Sequence, residues 1–340
     1  MITERGKGMI EAGTCAAIDL ESALDGGTLL AARHEPTRRD APRELLRTAT
    51  WRGLLRMAAE EWAVIVGCWA VLLVLPPAWR VALYAPIALV LAGRFHALGI
   101  VLHDAAHMVL RRMSVAAIAV EALCGYPVAS TIDAMRYHHL RHHRDSGMET
   151  DPYFKTGGQT PLWWTVNVLR GVLLVPFWTL RALVGALALA LPGLRNTYAR
   201  VFLQDRTTAD VTQSRELISC ARAELRQLLA QLLFVAVAVR WPLPVLLGYA
   251  IPVTIAGVLA ARRLLLEHLY EHTTDRRVPT IIATTRDNHL GWLGRLVLAP
   301  RNVGCHIVHH IHPQVGLEHL PRLRAWYVAR HPGLYPPPRS

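Results

Sequence analysis

Apolar residues in this chain gather into long runs separated by polar, arginine-rich segments, instead of recurring at the spacing of a half-buried soluble helix or strand. Four runs are long enough to cross a bilayer. Met57 to Leu75 ends at the Pro76–Pro77 stop and Val81 to Leu102 follows closely, so the two read as a helical hairpin. Leu225 to Val239 and Leu243 to Ala261 form a second pair, joined by Arg240–Trp241–Pro242. Two more apolar stretches, Val115 to Ala129 and Leu162 to Leu191, are expected to lie in the interface or dip without crossing. The first is short and carries Glu121, and the second is interrupted by Arg170, Pro176 and Arg181. The pattern predicts an all-α multi-pass membrane protein of about four transmembrane helices in two hairpins with a cytoplasmic helical cap. A polar, loosely ordered lead is expected over residues 1–50, the membrane domain over 51–330 and a proline-rich tail over 331–340.

Length then places the polar ends of these runs. A helix entering at Val81 needs about 20 residues at ~1.5 Å each to cross a ~30 Å hydrocarbon core, so it surfaces near Ile100. His103 and His107 fall just beyond that point, and Glu267, His268 and His272 fall just beyond the exit of the fourth run near Arg262 and Arg263. With the N-terminus inside, each hairpin returns the chain inside, and all the histidine-rich segments share the cytoplasmic face. Arg111, Arg112, Arg136, Arg141, Arg144, Arg262, Arg263, Arg276 and Arg277 crowd that face, against Arg80 and Arg240 opposite, as the positive-inside rule requires.

Composition agrees with a membrane protein that has substantial polar caps. Of 340 residues, 52% are hydrophobic and 18% charged, too apolar for an ordinary soluble domain and too charged for a bare bundle of spans. The net charge of +12 is almost all arginine, since Lys7 and Lys155 are the only lysines. That suits an anionic membrane surface; a nucleic-acid partner is not expected, because no basic stripe with interleaved aromatics occurs outside the membrane flanks. The five cysteines, Cys15, Cys68, Cys124, Cys220 and Cys305, form no Cys-x-x-Cys pair and read as reduced thiols.

The chemistry lies in three histidine clusters: His103–Asp104–Ala105–Ala106–His107, His138–His139–Leu140–Arg141–His142–His143 and His306–Ile307–Val308–His309–His310. Residues three or four apart share a helical face, so each cluster presents two or three ring nitrogens in one direction. Seven or eight imidazoles exceed the three or four ligands of a zinc site, which argues for two metals. Nitrogen ligation points to iron, zinc, copper or nickel. The zinc metallopeptidase signature is excluded, because Asp104, Ala105 and Ala106 supply no glutamate in the required place. A divalent-metal transporter stays open as an alternative, although it calls for ionisable residues inside the spans and these offer little beyond Arg94.

The trio His-x-x-x-His, His-x-x-His-His and His-x-x-His-His resembles the membrane fatty acid desaturase and hydroxylase superfamily. Asp151–Pro152 after the second box, Arg263 with Glu267–His268, Pro300–Arg301–Asn302–Val303 before the third box and His310–Ile311–His312–Pro313 at its end extend the resemblance from about Arg94 to Leu323. Tyr153 and Cys305 depart from it, standing where an acid and an aromatic residue are common. The resemblance implies a non-haem di-iron centre, with His103, His107, His139, His142, His143, His306, His309 and His310 as ligands. It adds His268 as the preferred ninth ligand with His272 as its rival. His138 and His312, with Glu267 and Asp151, are implied as additional ligands or as partners of the ligands.

The activity it implies is O2-dependent desaturation of a fatty acyl or similar lipid chain, with two iron ions as cofactor and O2 as co-substrate. The alternative within the superfamily is a hydroxylase or ketolase acting on a carotenoid, an alkane or a natural-product intermediate. No cysteine set for an iron-sulfur cluster and no nucleotide-binding glycine loop are present, so electrons are expected from a separate ferredoxin or cytochrome with its reductase. Arg141, Arg144, Arg276 and Arg277 are candidates for docking that donor. Trp62, Trp69, Phe95, Trp163, Trp164, Phe177 and Trp178 are candidates for lining the substrate path.

Overall fold

The computed structural model describes residues 35–108, 113–288 and 291–337. The expected lead as far as His34, the pair Arg111 and Arg112, and the last residues of the tail lie outside the described residues. Among the described residues the protein is helical, with no strand and two isolated bridges, Thr48 with Val315 and His268 with Thr285.

The first hairpin is built by its punctuation. Thr50 caps α1 (Trp51–Val74), accepting the Gly53 N–H at 3.1 Å. Leu75 is held extended by the following prolines, and Pro77 opens α2 (Pro77–Ala106) at the position where a missing N–H costs nothing. Leu54 and Ile65 of α1 pack on Leu91, Phe95 and Leu98 of α2. Arg94, expected as a lone charge, pairs with buried Glu61 of α1 at 2.8 Å, and Arg301 reaches the same carboxylate at 2.5 Å.

α3 (Val115–Val120) runs on helically to Val128, and the chain then bends by 78° into α4 (Ile132–Asp145). The bend leaves Ala129 at φ +57, a left-handed conformation costing about 1 kcal/mol or more outside glycine. Gly125 permits it, since a Cβ there would stand 2.5 Å from the Ser130 carbonyl oxygen. Thr131 caps α4 by accepting from Ala134 N–H at 3.1 Å, so the second histidine box starts as a helix immediately after the corner.

α5 (Pro161–Leu169) and α6 (Leu174–Ala190) continue each other across a tight turn. The one-turn helix α7 (Arg195–Thr197) leads to α8 (Arg215–Arg240), and α9 (Pro242–Val245) feeds α10 (Ile251–Glu267). Among the described residues four helices are long and apolar enough to cross a membrane: Trp51–Val74, Pro77–Ala106, Pro161–Ala190 and Pro242–Glu267. Three match the expected runs. The fourth does not: Leu225 to Val239, expected as a span, lies in α8, where Glu224, Arg226 and Arg240 interrupt or flank the apolar run. Pro161–Ala190, expected to lie in the interface or dip without crossing, has the length and apolar character of a span.

Contacts resolve how these two segments run. Ahead of α5, Gln159 donates to the Leu269 carbonyl, and the Trp163 ring meets Tyr270 at 5.5 Å, both partners standing just past the histidine end of α10. After α6, Arg195 donates to the Thr212 carbonyl at 2.8 Å, just before α8, whose Glu216 pairs with Arg141 of α4 at 2.9 Å. Both ends of Pro161–Ala190 therefore stand at the histidine end. α8 starts there but finishes at Trp241, next to the segment in which the Leu247 and Gly248 carbonyls accept from Tyr84 and Trp69 at 3.0 and 2.9 Å. α6 is tied to α8 by Arg181 and Glu224, 2.6 Å apart and fully buried.

The cap consists of α11 (Val278–Thr284), α12 (Trp292–Val297), α13 (His306–Ile311) and α14 (Leu320–Arg330). Ile281, Ile307, Val308, Ile311, Leu323 and Tyr327 form its core. α12 lies directly on α2, where a Cβ on Gly93 would stand 2.7 Å from the Leu296 carbonyl oxygen.

Two measurements check this frame. Single cysteines at Gly158 and Gly193, where an added Cβ meets no atom closer than 3.9 Å, should be labelled by an impermeant thiol reagent from the same side of a sealed vesicle. Labelling from opposite sides would make Pro161–Ala190 a true crossing. Glu224→Ala should destabilise the solubilised protein by about 3–5 kcal/mol by stranding Arg181, and the paired Glu224→Leu/Arg181→Leu change should recover most of the loss in thermal unfolding.

Candidate metal centre

The histidines converge because four helix ends meet. His103 is on the last turn of α2 and His107 caps it, α4 supplies the second box, and α13 supplies the third. His268 is the first residue past α10, held extended by its bridge to Thr285. Asp287 fixes α13: its carboxylate accepts from the Ile307 N–H at 2.9 Å and is itself braced by Arg324 at 2.6 Å and the Tyr335 hydroxyl at 2.8 Å. No motif in the sequence singled out Asp287.

The imidazoles fall into two groups. His103, His107, His139, His143 and His309 form one; His142, His268 and His310 form the other. His306 joins the second, its Nε2 standing 3.1 Å from that of His310 and 3.4 Å from that of His268. In the first group the Nε2 atoms of His139 and His107 are 3.0 Å apart, of His143 and His139 2.9 Å, and of His143 and His309 3.1 Å. In the second, His142 and His268 are 3.0 Å apart and His268 and His310 3.3 Å. The groups are contiguous, with the His143 and His310 ring centres 4.3 Å apart.

These distances fit cations. Ligands at bond lengths of about 2.1 Å sit about 3.0 Å apart at right angles on one ion and about 3.4 Å apart at tetrahedral angles. Hydrogen bonding among the rings does not account for them. A neutral imidazole Nε2 offers either one proton or one lone pair, whereas His139, His143 and His268 each face two or three others. Protonation is suppressed as well. Burial, reinforced by neighbouring imidazoles, holds His139, His143, His306, His309 and His310 well below the ordinary histidine range, and burial brings His107 and His268 down to about 3. The rings are neutral with convergent lone pairs, the state a metal requires.

The outward nitrogens orient them. His142 donates through Nδ1 to Asp151 at 2.8 Å, and His268 donates through Nδ1 to the Leu264 carbonyl at 3.1 Å. Burial alone would raise the Asp151 carboxyl, but His142 and the N–H groups of Gly147 and Tyr153 hold it below the usual carboxylate range. Glu267 is buried, accepts from Arg263 at 2.6 Å and stands 3.5 Å from His306 Nδ1.

Other expectations sort themselves by position. His272 is exposed against Phe154 and belongs to neither group, so of the two rivals only His268 reaches the cluster. His138 turns its Nδ1 to the Tyr153 hydroxyl at 2.6 Å, and His312 bonds Tyr327 in the cap core at 2.9 Å. Tyr153 also stacks on His142 with ring centres 4.4 Å apart. Arg276, expected as a docking charge, turns inward to His310 Nδ1 at 3.1 Å, and Arg141, Arg144 and Arg277 are paired with Glu216, Asp145 and Asp275.

An apolar cavity of about 490 Å³ reaches the histidines, within the roughly 300–1,000 Å³ of small-molecule pockets. Of the expected lining residues, Phe95, Phe177 and Trp178 line it. Trp62 and Trp69 do not; their indoles donate to the Leu123 and Gly248 carbonyls. Trp163 lines a neighbouring cavity, and Trp164 lines neither.

His268→Ala should lower bound metal while His272→Ala leaves it unchanged. Asp151→Asn should weaken metal retention by about 10- to 100-fold by releasing the His142 ring. Metal content of the purified variants reads both.

No curated protein matches the chain at a significant level. A family model does, over residues 77–339, which takes in α2, all three histidine boxes and the cap, and the chain belongs to the fatty acid desaturase family.

Proposed function

We propose that the protein is an O2-dependent desaturase of a fatty acyl or similar lipid chain. Family membership makes it an oxidoreductase of the desaturase or hydroxylase type. The observation that carries the finer reading is the pair of contiguous, buried imidazole groups at the inner end of an apolar cavity.

In this reading His103, His107, His139, His143 and His309 hold one iron, and His142, His268, His306 and His310 hold the other. Two bound irons supply the O2 chemistry that removes hydrogen from an unactivated carbon, which side chains alone cannot do. The protein contributes the rest. Asp151 and the Leu264 carbonyl hold His142 and His268 in the tautomer that leaves Nε2 free. Phe95, Val253 and Phe177 keep the chain's surroundings dry, and His103, His139 and His306 border the same space, so a methylene lodged there abuts the ligands. The spans carry the substrate's apolar part at lipid level while the histidine end faces the cytoplasm, where a separate ferredoxin or cytochrome delivers electrons. Metal transport is disfavoured because the buried pair in the middle of the first hairpin, Glu61 and Arg94, is closed on itself, with Glu61 also held by Arg301.

Purified protein should contain about two irons per chain, and with a reductase and NAD(P)H should consume O2. Mass spectrometry of the product should show loss of two hydrogens; gain of one oxygen would make the protein a hydroxylase, and zinc without turnover would reject the enzyme. Gly99 faces the cavity with its nearest Cβ neighbour 4.0 Å away, so Gly99→Phe should fold and shift turnover toward shorter chains.

A further inference from the structure

Most polar side chains on the wall of the apolar cavity have an evident occupation. The clustered histidines face the metal positions, Tyr153 bonds His138, and Lys155, Asn167, Arg170 and Gln204 also line the neighbouring polar cavity of about 720 Å³. Arg263 is committed to Glu267 at 2.6 Å. His96 is different. It lines the apolar cavity, yet it belongs to neither imidazole group and takes no part in the polar cavity.

Helix geometry sets His96 on the stripe of α2 that faces the apolar space. His96, Gly99, Ile100 and His103 stand at i, i+3, i+4 and i+7, one face of a helix, and all four line it. Seven residues at ~1.5 Å each place His96 about 10 Å from His103 along the helix axis. One ring nitrogen is occupied. Val297 ends α12, and its carbonyl is among those that a helix terminus leaves without a partner inside the helix. His96 Nδ1 stands 3.0 Å from that oxygen. A carbonyl only accepts, so Nδ1 carries the proton, and in the neutral ring Nε2 is left as an acceptor. That Nε2 is buried and has no hydrogen-bond partner.

A buried acceptor without a donor is costly, and a plain hydrocarbon chain in the cavity leaves it unanswered. A trapped water answers it poorly. Buried water needs about two to four polar partners, whereas the ring's neighbours on the wall, Phe95, Gly99 and Ile100, offer apolar atoms.

We infer that His96 is a specificity residue whose Nε2 accepts a hydrogen bond from a hydroxyl carried by the apolar chain in the cavity, about two helical turns from His103. This rests on the proposed oxidation of a chain there and narrows its substrate to an alcohol or another hydroxyl-bearing lipid. An ether or ketone oxygen cannot serve, since neither has a proton to donate. A site that hydrogen-bonds a substrate hydroxyl discriminates against the analogue lacking it, because the site's own buried group is then left unpaired.

The test is equilibrium binding to the full-length protein in maltoside micelles, with dodecan-1-ol, dodecyl methyl ether and dodecane as probes and each affinity corrected for partition into the micelle. Dodecanol should bind wild type about 3- to 10-fold more tightly than the ether. In His96→Asn the amide N–H can keep the bond to Val297, but no acceptor stands at the Nε2 position. This variant should unfold near the wild-type temperature, lose the same factor for dodecanol and bind the ether and the alkane as wild type does. His96→Leu, which removes both bonds, should lose it too and unfold at a lower temperature. Equal binding of alcohol and ether by wild type would overturn the proposal whatever the variants do. So would a His96→Asn protein that keeps the alcohol preference, or one that weakens all three probes alike, which would mean a change of cavity shape. Binding requires neither iron nor turnover. A missing alcohol preference with iron and product intact therefore rejects the role of His96 alone, while missing iron or product with the preference retained rejects the oxidation.

Discussion

Imidazole nitrogens from four helix ends stand about 3 Å apart in a buried space, and the neutral rings can satisfy one another fully only through cations. That constraint explains why the surrounding structure is so heavily braced. Asp151 steers His142, the Leu264 carbonyl steers His268, and Asp287 fixes the N-terminus of α13. Each brace acts on the outward side of a ring or on the backbone carrying it, leaving the inward lone pairs unclaimed. Because no one helix holds either group, metal binding and assembly of the cap on the membrane helices are thermodynamically linked.

Two sets of buried charges in the membrane helices are paired across helices. Glu61 serves Arg94 and Arg301 together, and Arg181 meets Glu224 with both side chains fully buried. Such pairs add little net stability but make the wrong helix register expensive, since slipping one helix by a residue would strand both charges. They hold α1 to α2 and α6 to α8, and those contacts set where the helix ends meet.

Polarity changes sharply between the two cavities that adjoin the histidines. The cavity beside the imidazoles is walled by Phe95, Phe177, Trp178 and Val253, and the chamber that adjoins it by Arg170, Arg200, Arg206 and Lys155. The loop from Asp151 to Lys155 touches all three zones. It orients a histidine through Asp151, stacks Tyr153 on it and ends in the cation at the junction. A substitution in this loop therefore reaches the histidines and the walls of both cavities.

Much of this was legible in the sequence, because the features concerned are local. Helical spacing within each box, the Pro76–Pro77 stop and the length of three apolar runs depend on neighbours a few residues apart, and the structure contains them. Legibility ended where partners are far apart in the chain. His143 meets His309 across 166 positions, so which rings share a group follows from where helix ends converge and from no spacing along the chain. His268 and His272 are equally plausible as sequence, but the extended backbone after α10 turns the first inward and leaves the second exposed. The apolar length of Pro161–Ala190 suits a span, yet contacts with Leu269 and Thr212 return both its ends to the histidine side. The sequence by itself determined the kinds of groups available and their local faces; the tertiary structure alone decided which of them meet, because burial and charge pairing are settled between helices and not within them.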